Sequence, residues 1–123
     1  MKPWDLTKAT VDNLVMRFAQ IGVEQDGALL KDEIGKFNRL YKEKDGILKE
    51  LKARSGDQRR ALMALYRHEN MQVRLNAAKA TLAVAPVEAR KMLELIADSR
   101  LYPQAGDAGM SLWNLDRGVF KPT

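Results

Sequence analysis

The stretch Asn70-Met71-Gln72-Val73-Arg74-Leu75-Asn76-Ala77-Ala78-Lys79-Ala80-Thr81-Leu82-Ala83-Val84 decides the fold. Its apolar residues recur at helical rather than strand spacing, which predicts a helix from about Met71 to Val84. The alanines Ala77, Ala78 and Ala80 leave one side thin enough for a neighbouring helix to approach closely. Pro86 suits the first position of the next helix, because its missing N–H has no intrahelical partner there, and Glu88 complements the N-terminal dipole. Met92, Leu93, Leu95 and Ile96 form the apolar side of that helix.

Working outward, Asp57 is placed to cap a preceding helix with Ala61, Leu62, Leu65 and Tyr66 on its buried side, stopping near His68. A weaker last helix covers about Gln104 to Leu115. Towards the N-terminus, Val11, Leu14, Val15 and Phe18 follow an i, i+3, i+4, i+7 pattern, with Thr10 as N-cap and Gly22 as the stop. Leu30, Ile34, Phe37 and Tyr41 give the stripe of a second helix, from about Asp26 to Lys44. Ile47, Leu48 and Leu51 suggest a short third one between Asp45-Gly46 and Ser55-Gly56. No window alternates like a half-buried strand, so the fold class is all-α, with six to seven helices. A shift of 30 residues lays Arg60, Leu62, Leu65 and Tyr66 on Arg90, Met92, Leu95 and Ile96, and a shift of 31 lays Ala77-Ala78 on Ala108-Gly109. Helix pairs repeating at this period bury their faces by stacking, which predicts a right-handed α-α superhelix.

Composition narrows the chemistry. The chain has 123 residues, no cysteine and one histidine, which excludes disulfides, thiolate metal sites, a cysteine nucleophile and two-histidine metal sites. One domain spanning residues 1–123 is expected, with a flexible tail over about 117–123. The uncharged segment Ala80–Val87 is far too short to span a bilayer, and Met1-Lys2-Pro3-Trp4-Asp5 is not followed by an apolar run of signal-peptide length, so a cytoplasmic protein is expected. The net charge of +5 is concentrated: residues 31–67 hold 11 basic and 6 acidic side chains, and the rest of the chain holds 10 of each.

The segment Asn70 to Leu82, followed by Ala89 and Leu93-Glu94-Leu95-Ile96-Ala97-Asp98, resembles a HEAT repeat over roughly residues 57–98, with the clearest repeat at 70–98. The whole chain resembles the bacterial domain-of-unknown-function 2019 family in Lys36-Phe37-Asn38-Arg39-Leu40, Ile47-Leu48-Lys49-Glu50-Leu51 and Val73-Arg74-Leu75-Asn76-Ala77-Ala78. That second resemblance implies a fold and no activity. The HEAT resemblance implies a structural ion pair for Arg74, with Asp98 or Asp107 as its partner, and a concave face lined by the second helix of each pair.

His68 sits where a helix ends, an ordinary place for a protonatable side chain, and the chain has no phosphate loop, nucleophile elbow or EF-hand loop. No catalytic residue, cofactor or metal is therefore expected. A HEAT-like DNA glycosylase would need a carboxylate and aromatics gathered in the cleft, and none can be named. The basic cluster carries the functional expectation: Arg39, Lys42, Lys49, Arg60, Arg67, Arg90 and Lys91 are the expected contacts for a partner or a phosphate backbone, and Arg60 and Arg67 stand two turns apart on one α-helical face. Tyr41, Tyr66 and Phe37 fall on apolar stripes and are read as core rather than as stacking platforms. The expected function is a non-catalytic module that binds an acidic protein through a rigid, concave, basic face. The alternatives are a nucleic-acid-binding module and an immunity or antitoxin-like protein. Trp113 and Phe120, with Met110, Leu112, Leu115 and Val119, either close the last repeat or leave an apolar edge for a homodimer, and Trp4 poses the same question.

Overall fold

Thr10 opens the first helix as the sequence predicts, its hydroxyl accepting the N–H of Asn13 at 3.1 Å. The structure, a computed structural model, describes residues 5–123, so Trp4 lies outside it. Among the described residues there are five α-helices and no strand: α1 Val11–Leu30, α2 Ile34–Ala53, α3 Met71–Ala80, α4 Pro86–Asp98 and α5 Gln104–Asp116. A three-residue 3-10 turn, Leu6–Lys8, precedes α1, and a ten-residue 3-10 segment, Gln58–Arg67, stands between α2 and α3. The described residues group into two compact units, one ending at Ala61 and one beginning at Leu62.

In the first unit, three boundaries differ from the sequence reading. Gly22 does not stop α1; it is buried within it, and the helix continues to Leu30. The second and third predicted helices are one, because Asp45-Gly46 stays helical, and this helix starts at Ile34 rather than near Asp26. The stripe moves accordingly. Leu40, Ile47 and Leu51 are buried, whereas Leu30, Ile34 and Tyr41 are exposed. Once the chain between α1 and α2 turns, with Asp32 at a left-handed φ of 57°, Leu30 no longer shares a helix with Ile34.

α1 buries Leu14, Phe18 and Ile21 and packs against α2. Arg17 ties the pair: its guanidinium donates to both carboxylate oxygens of Glu43 on α2 and to Glu24 at 2.8 Å. The hydrogen bond that it donates to Glu43 is the main reason that the Arg17 pKa is raised further. The N-terminal turn lies on α2, where a Cβ at Gly46 would stand 3.6 Å from the Leu6 side chain. Arg54, just past the end of α2, holds it there with hydrogen bonds to the carbonyls of Leu6 (2.9 Å) and Ala9 (2.6 Å), while its Nε donates to Glu50 at 2.7 Å.

In the second unit the boundaries at Pro86 and Gln104 match the sequence reading, and α3 is shorter, ending at Ala80 before the turn Thr81–Val84. Leu75, Ala78 and Leu82 form the core with Ala89, Leu93, Ile96 and Ala108. α3 packs on both α4 and α5, and its alanines Ala77 and Ala78 are fully buried. A helix covered on several sides must bury polar positions too, and amides that bond one another meet that cost. Gln72 donates to Asn76 at 3.0 Å, and Gln104 on α5 donates to Gln72 at 3.0 Å, all three being buried. Tyr66 and Thr81 share a hydroxyl hydrogen bond. α5 ends in a Schellman turn: Gly118, at φ 69°, donates to Leu115 and Val119 to Asn114.

Candidate interaction surface

The basic side chains divide into those used within the fold and those presented outward. Arg90 belongs to the first group. Its two terminal nitrogens meet the two carboxylate oxygens of Asp116 at 2.8 and 3.1 Å, which clamps α4 to the end of α5. The hydrogen bond from Arg90 holds the Asp116 carboxyl below the usual carboxylate range. Arg59, a cation in the first turn of its segment, is matched by Asp57 at 2.7 and 2.9 Å, and that contact also lowers the Asp57 carboxyl. Lys49 pairs with Asp45 one turn earlier at 3.0 Å.

The ion pair expected between Arg74 and Asp98 does not form. Arg74 Nε donates to the backbone carbonyl of His68 instead, Asp98 is exposed, and Asp107 is held by Lys79 at 3.0 Å. The carbonyl lies six residues back, just ahead of the start of α3, where Asn70 accepts the N–H groups of Gln72 and Val73 with its side chain. His68 takes part in the same turn, its Nδ1 accepting the Asn70 N–H at 3.0 Å.

Arg39, Lys42, Arg60, Arg67 and Lys91 are exposed. The expectation that Arg60 and Arg67 share a face assumed α-helical winding. The segment winds as a 3-10 helix, and at about 3 residues per turn positions seven apart point about 120° away from each other.

α2 is different. At about 100° per residue its buried line of Leu40, Ile47 and Leu51 is opposed by Asn38, Lys42, Asp45, Lys49 and Lys52, with Tyr41 to one side. Two rows run side by side there: Ile34 and Tyr41, seven residues apart, and Lys42 and Lys49, also seven apart. The sequence reading placed Tyr41 in the core; it is 54% exposed, and the Lys44 ammonium stands 4.7 Å from its ring centroid. The helix start at Ile34 is the signal that sequence reasoning missed.

Two cavities accompany these surfaces. One of about 100 Å³ is lined by Ala28, Leu29, Asp32, Glu33, Ile34 and Phe37 at the α1–α2 turn. One of about 430 Å³ is lined by Leu82, Ala83, Pro86, Arg90, Leu115 and Pro122, and Arg90, its charged member, is already matched by Asp116. Among the described residues no group of three acidic or histidine side chains is placed to hold a metal ion, and no helix is long and apolar enough to cross a membrane.

No curated protein matches the chain. It is similar to a solved structure, the crystal structure of the protein RPA1889 from Rhodopseudomonas palustris CGA009, with 57% identity, a TM-score of 0.95, and coverage of 98% of this chain and 100% of that one. The family model described as domain of unknown function DUF2019 matches residues 12–116, and the chain belongs to that family.

Proposed function

We propose that the protein is a non-catalytic interaction module of HEAT-like superhelical design that binds an acidic protein partner, and that α2 supplies the principal contact. The observation that carries this reading is the pair of rows on α2. Ile34 and Tyr41 offer an apolar ridge, and Lys42 flanks it with positive charge, followed two turns on by exposed Lys49, whose ammonium is shared with Asp45. Such a surface suits a partner segment that is acidic on one side and apolar on the other, since charge sets encounter and orientation while buried aromatic and aliphatic groups hold the complex. The packing of α3 on α4 and of both on α5 supports the repeat reading. Arg39 adds a further exposed cation to the same helix, Arg60, Arg67 and Lys91 are exposed cations elsewhere on the chain, and Arg90 serves the fold.

The experiment is affinity capture from the source cells with three baits: the native chain, Lys42→Glu/Lys49→Glu, and Ile34→Ser/Tyr41→Ala. A protein retained by the native chain and lost from both variants supports the reading. Anisotropy of a labelled DNA duplex titrated at low and at moderate salt runs alongside. Salt-steep duplex binding that is lost with Lys42→Glu/Lys49→Glu but kept with Ile34→Ser/Tyr41→Ala replaces the protein partner with a phosphate backbone.

A further inference from the structure

α5 contains no lysine or arginine, unlike the other four α-helices of this chain of net charge +5. Its inner side buries Gln104, Ala105 and Ala108. At about 100° per residue its opposite side is Gly106, Met110, Trp113 and, just past its end, Arg117. Met110 and Trp113 are half exposed, at 52% and 55%, and Arg117 stands over the Trp113 ring at 4.7 Å. Exposed Gly106 carries no side chain on this side, so the helix surface is low there beside exposed Tyr102, whose ring a Cβ at Gly106 would meet at an ordinary contact distance of 3.7 Å.

We propose that this face binds a second copy of the chain, α5 against α5 antiparallel, with each Trp113 seated over the partner's Gly106. A low point and a projection seven residues apart on one straight helix, about 10 Å, are self-complementary under a two-fold axis, and the axis passes beside Met110. Antiparallel helices also oppose their dipoles favourably. Charge selects this occupant. Two copies of a basic chain repel over most of their surface, and α5, which holds neither lysine nor arginine, lets them meet with Arg117, stacked over Trp113 just past its end, as the nearby cation. The exposed parts of Tyr102, Met110, Trp113 and Phe120 come to about 500 Å² per copy, so the pair covers on the order of 1,000 Å², the lower limit for a specific interface, and the dimer is of micromolar rather than nanomolar strength. This face lies on a different helix from the α2 rows, so either proposal can fail alone.

The test is sedimentation velocity of the full chain from about 5 to 500 μM, with Trp113→Ala and Gly106→Leu, and with circular dichroism reporting that each variant is folded. The native chain should pass from monomer to dimer in that range, and each variant should weaken the dimer by roughly 30-fold or more. Met110→Cys, in a chain that otherwise has no cysteine, should form a disulfide-linked dimer on mild oxidation at concentrations where the native chain dimerises. A native chain that stays monomeric throughout, or a dimer undiminished in both folded variants, overturns the proposal.

Discussion

Replacing Arg54 by alanine tests whether a cation from the basic stretch 31–67 belongs to the fold. Its side chain is 22% exposed and makes three charge-assisted contacts: two to the carbonyls of Leu6 and Ala9, which are 48 and 45 residues away, and one to Glu50, which is 19% exposed. Hydrogen bonds to charged groups contribute about 1.5–3 kcal/mol each when sheltered. With partial exposure and some water replacement, the loss should total about 3 kcal/mol. Arg54→Lys should recover less than half of this, because one ammonium cannot span two carbonyls and a carboxylate. Glu50→Gln, which leaves both carbonyl contacts in place, should cost about 1 kcal/mol. Urea unfolding followed by circular dichroism measures the three values. Hydrogen exchange locates them: the Lys8 and Ala9 amides, bonded to Asp5 and Leu6, should lose protection in Arg54→Ala while those of α4 keep it. An Arg54→Ala variant within about 0.5 kcal/mol of the native chain would refute the assignment, as would a loss no larger than that of Glu50→Gln.

Gln104→Ala, which leaves the buried Gln72 Oε1 without its donor, should destabilise by about 1–3 kcal/mol in the same unfolding assay, whereas Lys42→Glu/Lys49→Glu should stay within about 0.5 kcal/mol per exposed site. Asn70→Ala should cost about 1 kcal/mol, read by the same assay, because two N–H groups at the start of α3 lose their acceptor. Since Arg90 lowers the Asp116 carboxyl, that contact contributes stability above the ordinary carboxylate range, and the contribution is lost as pH falls through the lowered folded value. A proton titration by NMR should show Asp116 moving back towards the ordinary range in Arg90→Gln, and the acid slope of stability should flatten.

The second unit was legible because its punctuation is local. Pro86 starts a helix by removing a donor that has no use there, Asn70 caps one with its side chain, and Gly118 ends one in a left-handed turn. In the first unit Gly22 and Gly46 are not punctuation, because no turn needs either. Both sit inside helices; Gly46 lies under Leu6, a contact from 40 residues away that no local window contains. The stripe through Leu30, Ile34 and Tyr41 depends on a helix end at Gly22 and hides an exposed face inside an expected core. The basic cluster was visible as composition, but its division was not. Whether an arginine meets a remote carbonyl, as Arg54 does, or a carboxylate on another helix, as Arg17 and Arg90 do, is decided by packing between elements distant in sequence.

That division is weighted by side-chain chemistry. The planar guanidiniums of Arg17, Arg54, Arg59, Arg74 and Arg90 make most of the internal bonds, with Lys79 adding one to Asp107, while Lys31, Lys42, Lys52, Lys91 and Lys121 project into solvent beside Arg39, Arg60 and Arg67. Folding cohesion thus rests mainly on one functional group, whereas the charge shown to solvent comes from both. An amine-selective acylating reagent should therefore turn this cation into an anion that migrates in the opposite direction in a native gel, with most of its cohesion intact. A guanidine-selective dicarbonyl, at far lower occupancy, should unravel it.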